Sequence, residues 1–283
     1  MKKTRIIFGL LILAIMVLGC ATTKTTVPAP EARNLGIGVM HVYDYGNLKF
    51  HTYESRSPMG DIVFLLETRN EIILIEPVPF NANIEELNRY IATLGKPLNS
   101  VIISHHPFGS NNFIGKKIYA PEGAGNDPRM AGYAQRFGDI FNPSMPVNFD
   151  VIRQGTITIG GIRFNFIPAD GAFDIEIPAI NAYYTHMVGS NTHNILTSVA
   201  QIDAMIAKMK DFQTKNYGLI LSSHDIPRTI DVAAEKIAYL ERTKTLVASN
   251  NNAEAFTQAM KVAFPNYGGD NFLGMSARAF FPN

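Results

Sequence analysis

Cysteine is almost absent from this sequence, and charged residues are scarce. Cys20 is the only cysteine among 283 residues, so no disulfide can form within the chain and no zinc site can be built from thiolates. Any metal ion would therefore have to be held by His, Asp or Glu side chains. The net charge is +1 and charged residues make up 17%, which gives no electrostatic reason to expect nucleic acid as a partner. The 46% of hydrophobic residues indicates a globular domain with a substantial core.

The sequence also lacks the signature of a serine hydrolase. No serine stands in a Gly-x-Ser-x-Gly elbow, which would present its hydroxyl as a nucleophile. Several serines lie beside histidines, but adjacent residues on a strand point to opposite faces and rarely pair. Metal-independent catalysis by one of them is therefore a secondary alternative. These serines are Ser104, Ser110, Ser222 and Ser223.

The N-terminus has the organisation of a lipoprotein signal. Three basic residues among the first five precede the apolar run 6–18, which is shorter than the roughly 20 residues that span a bilayer as a helix. The run is followed by Gly and Cys, and the sequence Val-Leu-Gly-Cys resembles the lipobox at which bacterial lipoproteins are lipidated and cleaved. The resemblance implies a signal peptide over 1–19 and a lipid such as palmitate on Cys20. The alternative is an ordinary secretory signal, or a short anchor helix that ends in a cysteine.

Residues 20–35 are predicted to be a flexible tether between the lipid and the folded domain. The stretch is rich in Thr, Ala and Pro and has no apolar periodicity, so it has nothing to bury. Ala21 rather than an aspartate follows the cysteine, which by resemblance to Gram-negative lipoproteins favours the outer membrane if the host is Gram-negative. The expected location is therefore the cell envelope, with the lipid anchor in a membrane.

The periodicity of apolar residues predicts two halves with the same order of elements. Each half begins with a meander of antiparallel strands, continues with a helix, and then has a short buried strand that runs into a histidine. Asn83 is expected to cap the first helix, with Glu86 three residues later. The predicted strands lie at 37–43, 48–53, 62–66, 72–75, 101–103, 117–120, 156–159, 162–167, 180–184 and 219–221, and the predicted helices at 84–94, 202–212, 229–248 and 253–263.

The residues able to carry chemistry follow predicted strands. Ligands of sheet-based folds gather at the carboxyl ends of strands, so side chains there are well placed for a site. The candidates are His105, His106, Asp170, His186 and His224. Other histidines and carboxylates are interpreted as structural or as solvated loop residues; they are His41, His51, His193, Asp174 and Glu176.

The order of elements and these positions resemble the metallo-β-lactamase-like hydrolase superfamily, from residue 36 to the C-terminus. The main motif of that superfamily is Thr-His-x-His-x-Asp-His after a strand. Ser104 and His105 match its first two positions, whereas Pro107, Gly109 and Ser110 stand where the other ligands should be. The resemblance therefore implies this fold with a depleted ligand set.

Beyond the main motif, the resemblance implies three further positions. Asp170 lies in the region of the next histidine ligand, His186 lies where a bridging aspartate is usual, and His224 matches the last histidine. Together with His105 they form the implied ligand set of one metal ion at most, zinc being the first candidate. His105 and His224 match best and are the implied catalytic residues. His106 is a substitute for a missing neighbour, although its side chain should point away from that of His105.

The implied fold is an α/β four-layer αββα sandwich of two similar halves over 36–283. The implied activity is metal-dependent hydrolysis of an ester, lactone or amide of a small molecule, with bound water as the nucleophile. The alternative is a catalytically inactive member of the fold that binds a small molecule or an envelope partner. The two hypotheses differ in whether His105, Asp170, His186 and His224 converge to within about 2.0 to 2.2 Å of one ion.

Overall fold

The computed structural model describes residues 26–113, 116–189 and 191–282. The predicted signal peptide and the predicted lipidation site at Cys20 lie outside the described residues. Among the helices of these three ranges, none is long and apolar enough to span a bilayer.

Two β-sheets form the centre of the described part of the chain. The first sheet contains, in sequence order, β1 (Glu31–Asn34), β2 (Val39–Asp44), β3 (Lys49–Glu54), β4 (Ile62–Glu67), β5 (Ile72–Ile75), β6 (Leu98–Ile102), β7 (Lys117–Ala120) and β8 (Asp150–Val151). The second sheet is formed by β9 (Gly155–Ile159), β10 (Ile162–Ala169), β11 (Ala172–Ile177), β12 (Ala182–Tyr184), β13 (Leu219–Ser222) and β14 (Asp225–Arg228), in the spatial order β14-β13-β12-β11-β10-β9. The helices are α1 (Asn81–Thr93), α2 (Met130–Phe137), α3 (Val199–Lys215), α4 (Asp231–Ser249), α5 (Ala253–Ala263) and α6 (Asp270–Phe280).

The main core lies between the two sheets. Phe64 and Ile75 of the first sheet and Phe173 of the second belong to one buried cluster. On the other side of the first sheet, Leu74 packs in a second cluster with Leu87 of α1. Strands β4 and β5 are buried along their whole length because both of their faces are covered.

The second sheet is covered on its outer face by α3 and α4. Tyr183 and Ile220 of the sheet share a buried cluster with Phe212 of α3 and Val232 of α4. Helices α5 and α6 extend this layer through a cluster made by helices, in which Phe256 of α5 is fully buried. The order helix, sheet, sheet, helix confirms the predicted αββα sandwich.

The two halves repeat one arrangement that positions the site. Strands β5 and β6 are parallel neighbours joined through α1, and β12 and β13 are parallel neighbours joined through α3. Parallel strands end at the same edge of their sheet, so the segments that follow β12 and β13 come together. The packing of the two sheets brings the segment that follows β6 to them, where His106 contacts His186. The histidines singled out in the sequence lie in these segments.

The structure corrects the predicted capping of α1. The helix begins at Asn81, and no side chain caps its first turn. The Asn83 amide instead donates to the Ser55 carbonyl at 2.7 Å, and Glu86 accepts from the Gly38 N–H at 2.7 Å. The capping prediction is therefore wrong because buried tertiary contacts take up both side chains.

A second correction concerns Asp174 and Glu176, which lie in β11 and not in a loop. Asp174 is buried, accepts a hydrogen bond from the Tyr183 hydroxyl at 2.9 Å and forms an ion pair with Lys208. Glu176 accepts from the Tyr217 hydroxyl at 2.9 Å. The interpretation as solvated carboxylates is wrong because neighbouring strands and helices supply partners for both.

The first sheet begins inside the segment predicted to be a tether. Strand β1 pairs antiparallel with β2, with Glu31 opposite Val42 and Asn34 opposite Val39. All of β1 is exposed, so backbone pairing at the sheet edge holds it and burial contributes little. A strand of this kind leaves no apolar pattern in the sequence.

Candidate metal centre

Glu76 organises the segment that follows β6. Its buried carboxylate accepts three successive backbone N–H groups, from Ser104 at 2.8 Å, His105 at 2.9 Å and His106 at 2.8 Å. The Tyr184 hydroxyl donates to the same carboxylate at 2.9 Å. Glu76 itself has a positive φ of 61°, a conformation that is unfavourable for a residue with a side chain. The chain therefore wraps around one carboxylate, which fixes the backbone of both histidines.

Three histidines converge at the edge where β6, β12 and β13 end. His106 Nε2 lies 3.2 Å from His186 Nε2, and His224 Nε2 lies 3.3 Å from the same atom. The three ligand atoms all lie within 4.8 Å of one another. His106 is buried and the other two rings are partly buried. Among the described residues, this is the group of histidines and carboxylates whose spacing suits a metal ion.

The two distances from His186 Nε2 suit a shared metal ion as well as they suit hydrogen bonds. Two nitrogens bound tetrahedrally at the 2.0–2.1 Å usual for zinc lie about 3.3 Å apart. His186 Nε2 offers either one proton or one lone pair, so it can serve only one of its two neighbours well. A cation between the rings uses the lone pairs of all three nitrogens. The group formed by His106, His186 and His224 can therefore bind a metal ion.

The electrostatics of the site keep the imidazoles neutral. Burial, together with the neighbouring histidines, holds the pKa of His106 and of His186 well below the usual value. Burial also lowers the pKa of His224, although the backbone of Met59 and Gly60 opposes this effect. Neutral imidazole is the form that binds metals, so the three rings have the required charge state at neutral pH.

Two buried carboxylates stand behind the histidines. Burial raises the pKa of Glu76, while its four hydrogen-bond donors oppose this shift. Burial also raises the pKa of Asp61, to about 7. Asp61 Oδ1 lies 3.8 Å from His106 Nδ1. Sequence reasoning missed both residues, although Glu76 directly follows the buried strand β5 and is thus at the same kind of strand end as the histidines.

His105 lies beside the three-histidine group but outside it. Its ring stacks on that of His186, with centroids 4.2 Å apart and an angle of 9° between the rings. Its Nε2 is buried and has no hydrogen-bond partner, and its carbonyl accepts from Arg129 Nη2 at 2.9 Å. Burial lowers the pKa of His105 to about 4. The structure therefore places His105 against the site, with His106 in the position next to His186 and His224.

Asp170 is also outside the group. It is exposed in the two-residue turn between β10 and β11, where Gly171 has a φ of +65°. Of the four predicted ligands, the structure brings together His186 and His224, and it does not bring Asp170 to them. His106, which the sequence offered only as a substitute, completes the set.

A cleft of about 330 Å³ borders the site on the side of His105 and Asp170. Its volume lies at the small end of the range for small-molecule sites. Its lining mixes apolar surface with a few polar groups and includes His105, Pro107, Pro121, Ala124, Arg129 and Asp170.

No family model matches the sequence, and no curated protein matches it. Solved structures do match: a metallo-beta-lactamase family protein from Thermus thermophilus has a TM-score of 0.60 at 16% identity, over 83% of this chain and 91% of that one. The inverting sec-alkylsulfatase from Pseudomonas sp. has a TM-score of 0.58 at 14% identity over 85% of this chain, which spans only 49% of the sulfatase. A B3 metallo-beta-lactamase matches at 0.53 and 15% identity, over 68% of this chain and 99% of that one. At these identities the similarity establishes the fold, and this chain has the metallo-β-lactamase fold.

Proposed function

We propose that the protein is a hydrolase that uses one metal ion, held by His106, His186 and His224, to act on an ester, lactone or amide of a small molecule. The observation that carries this proposal is the convergence of three Nε2 atoms, with neighbouring pairs 3.2 and 3.3 Å apart. Three protein ligands with one position left open are typical of catalytic zinc sites, whereas structural sites are closed by four. When bound, such a metal supplies Lewis acidity, which activates water near neutral pH.

The chain's own residues prepare the site for this chemistry. Burial keeps the pKa of His106 and His186 low, so each ring stays neutral and keeps one nitrogen lone pair available for a cation. Glu76 fixes the backbone that carries His106. The cleft lined by His105, whose ring stacks on that of His186, offers a place for a small substrate. Zinc is the metal we propose, because a donor set of three imidazoles suits it.

Metal binding is the first test of this proposal. Elemental analysis of the purified protein, as isolated and after zinc addition, should give about one equivalent of metal, as expected for a single three-histidine site. Loss of a residue that only hydrogen-bonds to a metal ligand weakens metal binding by up to roughly 100-fold. His224→Ala removes a ligand itself and should therefore weaken zinc binding by more than this. His193→Ala is the matched control, because His193 is buried and its Nδ1 contacts the Tyr239 hydroxyl at 3.2 Å in a different cluster. Absence of metal in the wild type, or equal losses in the two variants, would contradict the proposal.

Hydrolysis is the second test. Esters, lactones and amides should be screened with the zinc-loaded protein, and an alkyl sulfate should be included because a sec-alkylsulfatase shares the fold. Activity should disappear in His224→Ala and persist in His193→Ala. Tight metal binding without hydrolysis of any of these substrates would favour a catalytically inactive protein that binds a small molecule in the cleft.

We also propose that the protein acts in the cell envelope on a lipid anchor at Cys20. The support is the lipobox-like sequence that ends at Cys20 and the Thr-, Ala- and Pro-rich stretch behind it. Cells fed with labelled palmitate should transfer the label to the wild-type protein and not to Cys20→Ser. Label on that variant would refute the anchor.

A further inference from the structure

The second ring nitrogen of His106 lacks a partner. His106 Nδ1 is buried and accepts or donates no hydrogen bond among the described residues. A metal ion at Nε2 requires the ring proton to be on Nδ1, and which nitrogen is metallated is set by the hydrogen bond that the other one makes. A buried N–H without an acceptor is unfavourable. The ring therefore needs an acceptor at Nδ1 when a metal ion binds.

Two carboxylates are close enough to supply it, and one of them is already occupied. Glu76 Oε2 and Asp61 Oδ1 each lie 3.8 Å from His106 Nδ1. Glu76 Oε2 already accepts the His106 N–H at 2.8 Å, and Glu76 Oε1 accepts the other three donors. Asp61 Oδ1 is buried and has no hydrogen-bond partner. The two atoms without partners, Asp61 Oδ1 and His106 Nδ1, thus lie opposite each other.

The position of Asp61 is fixed by its own loop. The Ser57 hydroxyl donates to Asp61 Oδ2 at 2.6 Å and accepts from the Asp61 N–H at 3.2 Å. The Ser55 hydroxyl donates to the Asp61 carbonyl at 2.6 Å. The next residue, Ile62, donates its N–H to the Ser223 carbonyl at 2.8 Å, which ties the loop to the end of β13 beside His224. Asp61 is 1% exposed, so these contacts hold a carboxylate in the interior. Its Oδ1 atom has no hydrogen-bond partner.

We propose that Asp61 is the positioning residue of the metal centre, with His106 Nδ1–H donating to Asp61 Oδ1 when a metal ion occupies Nε2. A ring movement of about 1 Å closes the present 3.8 Å separation to a hydrogen bond. The bond fixes the tautomer and the orientation of the ring and raises the basicity of Nε2, as carboxylate partners of metal-binding histidines do. This inference rests on the proposed function, because it needs a metal ion at the three-histidine group. Asp61 lies in the loop before β4, which is not part of the segment that resembles the main motif.

Zinc affinity of position 61 variants tests the inference. Asp61→Ala should bind zinc about 10 to 100-fold more weakly than the wild type. Asp61→Asn should lose less, because its amide oxygen still accepts from Nδ1–H but carries no charge. Glu67→Gln is the matched control, because Glu67 makes the same type of contact to His51 Nε2, at 3.0 Å, in another part of the first sheet. Glu67→Gln should bind zinc as the wild type does.

A spectroscopic measurement separates positioning from a general structural effect. In ¹⁵N NMR of the zinc-loaded wild type, His106 Nδ1 should carry the proton, and its chemical shift should change in Asp61→Asn but not in Glu67→Gln. Circular dichroism checks folding, and Asp61→Asn decides the question if Asp61→Ala does not fold. Wild-type zinc affinity in the folded position 61 variants, or metal binding through Nδ1 of His106, would overturn this inference alone. Failure of the wild type to bind zinc would overturn the proposed function and this inference with it.

Discussion

Replacing Glu76 by Gln should destabilise the protein and weaken the proposed metal centre at the same time. The carboxylate accepts N–H groups from Ser104, His105 and His106 and the hydroxyl of Tyr184, so it is the common acceptor of the segment that carries the histidines. Glutamine has almost the same shape, so packing is preserved and the change reports on hydrogen bonding. One of its two terminal groups, however, is a donor.

The size of the effect follows from which oxygen each donor uses. Oε1 accepts from Ser104, His105 and Tyr184, whereas Oε2 accepts from His106 alone. The amide oxygen of glutamine can keep the first three bonds, and its NH₂ then faces the His106 N–H. An unsatisfied buried donor costs about 1–3 kcal/mol, and the three remaining bonds lose their charge assistance. Removal of a buried charge offsets part of the loss. We expect the free energy of unfolding to fall by about 2–3 kcal/mol.

Urea unfolding and zinc titration measure the two effects separately. Zinc affinity should fall about tenfold or more, because the backbone of His106 loses its anchor. Glu86→Gln is the control: Glu86 also accepts two backbone N–H groups, from Ile37 and Gly38, and one hydroxyl, from Tyr53. Its replacement should cost a similar stability and leave zinc affinity unchanged. A Glu76→Gln protein with wild-type zinc affinity would refute the reasoning, as would a Glu86→Gln protein whose zinc affinity falls equally.

Two further predictions concern the charge and the backbone geometry of the interior. Lys236 is buried, which lowers its pKa from 10.5 to about 8, so the unfolded chain binds more protons than the folded chain between these values. As the pH rises from about 8 to 10.5, the free energy of unfolding of the wild type should therefore rise relative to that of Lys236→Met, by about 3 kcal/mol at most. Urea unfolding at several pH values measures this, and a stability difference between the two proteins that does not change with pH would contradict the prediction. Gly109→Ala should cost about 2–4 kcal/mol, because Gly109 has a φ of +78° and an added Cβ would lie 2.4 Å from the Val78 carbonyl oxygen. Gly171 has a φ of +65° and an added Cβ would meet no atom within 4 Å, so Gly171→Ala should cost only about 1 kcal/mol of stability. If thermal unfolding showed that the two variants lose the same stability, the Val78 carbonyl would have moved away from the new Cβ at little cost.

The sequence predicted those strands that have one face or both faces buried, because their apolar residues then form a regular pattern. The apolar run 72–75 coincides with β5, and the strand-to-histidine order of both halves is present. Strand β11 was not predictable in the same way, because Asp174 satisfies its charge with Lys208 and Tyr183, which are distant in sequence. A pattern of single residues cannot show that a carboxylate has such partners.

The candidate site was predictable in location and only partly in membership. His186 and His224 follow strands whose ends meet, and strand order alone places them together. The choice between His105 and His106 depends on the direction of each ring, which is set by three N–H groups that bind Glu76. Because these contacts join the residue after β5 to the segment after β6, sequence spacing could not decide which histidine enters the group.

The position of Gly109 shows how the segment after β6 differs from the motif it resembles. Gly109 stands where the motif has an aspartate, and it adopts a left-handed φ of +78°. A Cβ there would lie 2.4 Å from the Val78 carbonyl oxygen and 3.1 Å from Ile84 Cδ1, so no aspartate can enter without moving the chain between β5 and α1. A substitution at this position alone therefore cannot restore the missing ligand. This geometry therefore agrees with the proposed one-ion centre, in which His106 and not position 109 supplies a ligand.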